Sequence, residues 1–282
     1  MVRGNHRSIV TGRQSTTETL TSRQFHLSRP KTLRLLGELE TTGNAVNSVF
    51  LTPELSADYV NDLLCRALPG AAVPADMVEL AAGSRTGAAI FWGPSRKLLI
   101  RPPFPLTEQY IAPDGDIEPL RLLLETDFTI ALVLVRLGAF AIGVWQGESL
   151  LASKTGTGLV HGRHRKGGSS QRRFERRREK QVDVFLERVC GHARQQIEPY
   201  IRQLDFFVYG GARTTFATLQ KECPFLRQFV ERSLQPLLDI ARPRRRVLEA
   251  AISDILSSHI TEWSPPLPDN MPLFRQKDDS IE

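Results

Sequence analysis

The sequence predicts an α/β protein in which a small α/β unit precedes a mixed sheet with helices on its faces. Three observations carry this. The nearly continuous apolar runs IALVLV and AFAIGVW lie close together and read as strands central to a core. From Phe174 onward, Phe174, Val182, Phe185, Leu186, Val189, Cys190, Ala193 and Ile197 keep to one side at 3.6 residues per turn, as one long helix requires. A further apolar strand, Asp205–Tyr209, follows that helix, so the helix is a crossover back to the sheet.

Taken in order, residues 1–25 are polar and rich in Ser and Thr and read as a disordered tail. Residues 26–113 form the small unit. Thr32–Leu39 spaces Leu33, Leu36 and Leu39 as a helix does, and Asn47–Leu51 reads as a strand. Ser56–Leu68 is a helix ended by Pro69-Gly70, and Ala88–Trp92 with Lys97–Arg101 makes a hairpin around Gly93-Pro94. The Pro- and Gly-rich stretch Phe104–Asp116 marks a boundary. Residues 118–262 form the second unit, opening with a short helix, Pro119–Glu125. Strands Thr129–Arg136, Ala139–Gln146 and Ser149–Thr155 follow, turning at Leu137-Gly138 and Gly147-Glu148. After the long helix and Asp205–Tyr209, which stops at Gly210-Gly211, come a helix at Arg213–Glu222, a short one after Pro224 and a last one at Arg245–Ile260. Residues 263–282 are Pro-rich and charged and read as a second disordered tail. Three antiparallel strands, a crossover helix and a further strand are the order of a ribonuclease-H-like mixed sheet.

The chain has 282 residues and a formal charge of +6, enough for one large domain or two small ones with real cores. Cys65, Cys190 and Cys223 form no CxxC pair. They read as buried thiols in a reducing compartment, against a zinc site or a disulfide scaffold. No apolar run is long enough to cross a bilayer, and the N-terminal residues lack the apolar region of a secretory signal. The acidic residues are scattered without a metal-nuclease cluster, so no metal or cofactor is expected.

The stretch Thr155–Lys180, TGTGLVHGRHRKGGSSQRRFERRREK, organises the chain. Its first half holds Gly156, Gly158, Gly162, Gly167 and Gly168 and no apolar period, so it is a loop. Its second half opens the long helix and sets Arg172, Arg173, Arg176, Arg177 and Lys180 opposite the apolar side. No acidic residue lies between Ser149 and Phe174, and the uncharged Gln171 sits at the junction of loop and helix. A solvated face and a flexible linker would explain each feature alone. Abutting, they make a surface suited to a polyanion, with RNA the obvious candidate. His161 and His164 fit phosphate contact better than acid–base work, and Ser169 and Ser170 have no visible His-Asp partners. Gly210-Gly211 reads either as a phosphate-binding turn or as a tight strand-to-helix turn. Arg242-Pro243-Arg244-Arg245-Arg246 is either a second RNA contact or a solvated helix start.

The order apolar meander, HGR–x–RKGG–SSQ–RRFERRREK, long helix, strand, Gly-Gly-Ala resembles the central domain of the class I release factors of eukaryotes and archaea. There the loop carries Gly-Gly-Gln ahead of a similar RFxRxRxEK helix. Here it reads Gly167-Gly168-Ser169-Ser170-Gln171, and the two added serines resemble the GxxQ loop of the Vms/ANKZF family and its bacterial relatives, the Vms-like release factors. The resemblance runs from about Thr129 to Leu256, and no codon-reading motif is visible. It implies hydrolysis of peptidyl-tRNA in the peptidyl-transferase centre, with Gln171 catalytic in the loop Gly167, Gly168, Ser169 and Ser170. Arg163, His164, Arg165, Lys166, Arg172, Arg173, Arg176 and Arg177 would contact RNA. The implied partners are the ribosome, with the rRNA of its large subunit, and peptidyl-tRNA. A cytoplasmic monomer is expected, with no DNA or membrane partner. Two other readings stay open. A tRNA 3′-end endonuclease would release the peptide with nucleotides attached, and a non-catalytic ribosome-binding module would release nothing.

Overall fold

The computed structural model describes residues 20–41, 47–94, 96–112, 114–160, 169–234 and 237–265. In chain order the elements are β1 (Thr21–Leu27), α1 (Arg29–Thr41), β2 (Asn47–Leu51), α2 (Ala57–Ala67), α3 (Ala75–Ala82), β3 (Ala88–Trp92), β4 (Lys97–Arg101), β5 (Tyr110–Ala112) and α4 (Glu118–Glu125). There follow β6 (Thr129–Arg136), β7 (Ala139–Gln146), β8 (Ser149–Thr157), α5 (Ser169–Ile197), β9 (Leu204–Gly211), α6 (Arg213–Glu222), α7 (Pro224–Arg227), α8 (Arg245–Ile255) and β10 (Ser258–Ser264).

The first sheet is antiparallel, in the order β1-β10-β4-β3-β2-β5. Alternation along its strands sends Val49, Leu51, Ile90, Leu99 and Trp263 to one face, where α2 and α3 bury Val60, Leu63, Leu64 and Met77 on them. Phe50, Phe91, Leu98 and Ile100 go to the other face, under Leu35 and Leu36 of α1 and Leu120 and Leu124 of α4. Ser56 starts α2 by accepting the Tyr59 N–H at 3.3 Å.

Several expectations are corrected here. The tail expected up to Phe25 is shorter, because Thr21–Leu27 is a strand paired to Ser258–Ser264. The last helix stops at Ile255, not Ile260. Beyond Leu256 the chain pairs between β1 and β4, with Ile260 buried on one face of the sheet and Trp263 on the other. Helix α4 was expected to open the second unit, but it packs on the first sheet. The division between residues 26–113 and 118–262 is thus crossed by the chain, which leaves the first sheet after α4 and returns to it as β10. Helix α3 and strand β5, the latter inside the stretch read as a boundary, were not foreseen.

The second sheet has the order β8-β7-β6-β9, with β9 parallel to β6 and the other neighbours antiparallel. This is the expected ribonuclease-H-like mixed sheet. Residues beyond α7 extend it along β9 through parallel bridges at Ser233 and Leu238. Both faces are covered. Ala131, Val133, Val135, Phe140, Ile142 and Val144 meet α5, α6 and α7, while Ile130, Leu132, Leu134, Ala141 and Trp145 meet α8. The strand-to-helix turn at the end of β9 needs glycine. Gly211 has φ +117°, and a Cβ there would stand 2.0 Å from the Val135 carbonyl oxygen. Gly210-Gly211 is buried, which favours the tight-turn reading over a phosphate site.

Helix α5 is seated on this sheet through Phe185, Leu186, Val189, Ala193 and Ile197, each at most 3% exposed. Phe174, expected on the same side, is 57% exposed. Its turn lies N-terminal to the part of the helix that is buried on the sheet. Cys190 of α5 and Cys223 at the α6–α7 junction are joined in a disulfide, with Cα atoms 5.6 Å apart. The expected set of three thiols is therefore wrong, and cysteine usage gives no ground for a reducing compartment. Cys65 is free and exposed.

Phe185→Ala should cost about 3–5 kcal/mol, as for a buried aromatic truncated in a core, measured by denaturant unfolding. Full retention of stability would put the seat of α5 elsewhere. Labelling of the denatured, unreduced protein should count one thiol, rising to three after reduction; three without reduction would exclude the Cys190–Cys223 bond.

Candidate nucleic-acid interface and loop-bearing helix

The site lies where β8 leaves the sheet edge and α5 begins. Strand β8 is the outer strand, and past it Gly158 donates its N–H to the Gly138 carbonyl at 3.0 Å. Arg163, His164, Arg165, Lys166, Gly167 and Gly168, with His161, lie outside the described residues, as do the side chains of Ser169, Ser170 and Gln171.

The backbone of those last three residues is helical. Ser169, Ser170 and Gln171 were expected in the loop, and they form the first turn of α5 instead. That placement matters chemically. The first N–H groups of a helix have no partner within it and carry its positive end. Gln171 is the third residue of α5, so its N–H belongs to that set. With 1.5 Å of rise per residue, Gln171 stands about 21 Å along the axis from Phe185. The N-terminal part of the helix extends beyond the seat.

This extension is strongly basic. Between Ser169 and Lys180 there are six cations and two carboxylates, Glu175 and Glu179. Arg172, Arg173, Arg176, Arg177 and Lys180 are all exposed. Four of the six arginines expected to contact RNA, Arg172, Arg173, Arg176 and Arg177, therefore lie together on one helix. The run Arg242–Arg246 is not with them. It opens α8, on the opposite face of the sheet, and Arg245 is paired to Glu249 at 2.8 Å.

Sequence reasoning missed a groove beside the loop. Gly158, Leu159, Arg177, Lys180, Gln181, Val184, Phe185 and Arg188 line it, and it encloses roughly 430 Å³. Arg177, Lys180, Gln181, Val184 and Arg188 follow the spacing of a single helix stripe, next to the buried one. Leu159 is 74% and Val184 57% exposed, an apolar floor inside a cationic rim. Arg188 fixes one wall by donating to the Thr157 carbonyl. Gly158 keeps the floor open, because a Cβ there would meet the Phe185 ring at 2.5 Å. The available signal was Val184, an apolar residue out of phase with the core stripe. Among the described residues no three His, Cys, Asp or Glu side chains are grouped to hold a metal ion, and no helix is long and apolar enough to cross a membrane.

Residues 128–261 match the model of the Actinobacteria/Chloroflexi VLRF1 release factor. A peptide chain release factor subunit 1 from Thermococcus sibiricus is 29% identical over 191 residues, covering 62% of this chain and 46% of the relative. The Aeropyrum pernix protein of that name is 32% identical over 103 residues, covering 36% and 28%. The chain thus spans less than half the length of these curated relatives. The crystal structure of an archaeal translation termination factor aligns with a TM-score of 0.36 and 18% identity, over 81% of this chain and 73% of that one.

Reversing Arg173 and Arg177 to Glu together should weaken ribosome binding and flatten its salt dependence. Thermal stability should stay nearly unchanged, because exposed charges contribute little to folding. Sedimentation at several salt concentrations measures this. Unaltered binding would remove the helix face from the interface.

Proposed function

We propose that this chain, whose residues 128–261 are a Vms-like release-factor domain, is a peptidyl-tRNA hydrolase that frees nascent peptides from stalled ribosomes or large subunits. The observation that supports this reading most directly is the position of Gln171. It follows Gly167-Gly168 in sequence and lies in the first turn of a helix whose exposed cations crowd toward the same end.

The scissile bond is the ester between the peptide and the 3′-terminal adenosine of tRNA. Water adds to the carbonyl carbon, the carbonyl oxygen gains negative charge, and the bond to the ribose oxygen breaks as that oxygen takes a proton. Gln171 is neutral and a poor general base, but its amide can hold the attacking water. Its backbone N–H, at the positive end of α5, is suited to the developing oxyanion or the departing ribose oxygen. Gly167 and Gly168 let the backbone approach RNA without Cβ clashes. Arg163, His164, Arg165, Lys166, Arg172, Arg173, Arg176 and Arg177 neutralise phosphates along the way, so most of the binding energy is electrostatic and supplied away from the ester. The remaining catalytic groups belong to the ribosome. This function is exercised at the ribosome, in the cytoplasm.

Binding and chemistry should therefore separate. Gln171→Ala should bind ribosomes as wild type does, since no charge is lost. Its single-turnover release at saturating protein should fall by roughly tenfold to thousandfold, as for loss of one positioning or oxyanion group. Release at the wild-type rate would remove Gln171 from the chemistry.

A further inference from the structure

The first sheet carries a row of three basic side chains, remote in sequence from the loop. His26 of β1, His259 of β10 and Arg101 of β4 are directly opposed in register across three neighbouring strands. Directly opposed residues of antiparallel strands share a face and lie side by side. Leu20, Leu99 and Trp263 pack on α2 and α3, so this row belongs to that face. The rings of His26 and His259 are 4.0 Å apart, and both residues are exposed.

Among the described residues no carboxylate is paired with the row. The Arg101 Nε is fully buried and has no hydrogen-bond partner among the described residues. One residue pair along the same face, the Thr261 hydroxyl is in the same condition, with Thr261 0% exposed. The carboxylate known on this face is Asp76, which accepts from the Trp263 Nε1 at 3.1 Å. Trp263 is four residues along β10 from His259, roughly 13 Å away. Burial, then His26 and then Arg101 hold the His259 imidazole below its ordinary pKa, and no carboxylate opposes them. Like charges opposed across strands destabilise a sheet, and a partly buried guanidinium without an acceptor costs free energy. An oxyanion over the row would favour the protonated imidazoles and set a negative charge against the guanidinium.

We infer that His26, Arg101 and His259 form a phosphate-binding site where the α2–α3 face of the first sheet is exposed to solvent. The forked guanidinium and the two imidazoles supply donors converging from three adjacent strands, matched to a group with several charged oxygens. The phosphate is either a backbone phosphate of RNA or a free phosphate. The site rests on this geometry alone and not on peptide release, so either can fail without the other.

The test is NMR titration of the histidine Cε1 protons in the full chain, with inorganic phosphate or a short oligoribonucleotide replacing chloride at constant ionic strength. Phosphate should saturably raise the titration midpoints of His26 and His259, because a bound anion favours their protonated forms. Arg101→Met should weaken that binding about tenfold or more, the effect of losing one charge-assisted donor. Should Arg101→Met not fold, His26→Gln must show the same weakening at His259. Saturation by the oligoribonucleotide at lower concentration than by phosphate identifies RNA as the source; a response to phosphate alone identifies a free phosphate. Unmoved midpoints with both probes, or a shift that persists unchanged in the variants, overturns the site.

Discussion

The rest of the molecule depends on the seat of α5. Five apolar side chains, Phe185 to Ile197, are buried against one face of a sheet whose central strands β6 and β7 are themselves buried almost throughout. The four larger ones each contribute about 1.5–3 kcal/mol, so the C-terminal half of the helix is firmly held. The disulfide to Cys223 ties the same half to the α6–α7 junction. The other end of the same helix carries Gln171.

That helix reconciles two demands. A group that meets an ester inside an RNA-lined cavity must reach far from the protein body, and it must arrive in a defined orientation. A flexible loop alone meets the first demand only. A helix that begins at Ser169 meets both, since about 21 Å of stiff backbone separate the seat from Gln171. The exposed arginines along that length suit the same cavity. Arg172, Arg173, Arg176 and Arg177 are spread over successive turns and exposed, which suits them to phosphates. The groove beside the helix, apolar within a cationic rim, extends this surface to the sheet edge.

Much of this was legible in the sequence. The meander was visible because β6 and β7 are buried on both faces, which demands unbroken apolar runs, and because Gly138 and Gly147 mark the turns with positive φ. What escaped was non-local. Strand β1 looks like a polar tail because its partner, β10, lies at the other end of the chain, with Thr21 paired to Ser264. The disulfide escaped because its cysteines are 33 residues apart and meet only when α5 and α6 pack on one face. Phe174 kept the right phase but lies beyond the sheet. The start of α5 was drawn near Arg172 because Gly167, Gly168 and two serines read as loop, whereas the helix takes in both serines and Gln171. The division between loop and helix was thus drawn three residues late.

The central claim is that this chain directs water to the acyl carbon of peptidyl-tRNA. Release carried out in ¹⁸O-labelled water, with mass spectrometry of both products, tests it most directly. The account predicts one labelled oxygen in the C-terminal carboxylate of the freed peptide and an unlabelled tRNA with its 3′-terminal adenosine intact. A peptide that leaves with nucleotides attached, and a tRNA shortened at its 3′ end, would contradict it.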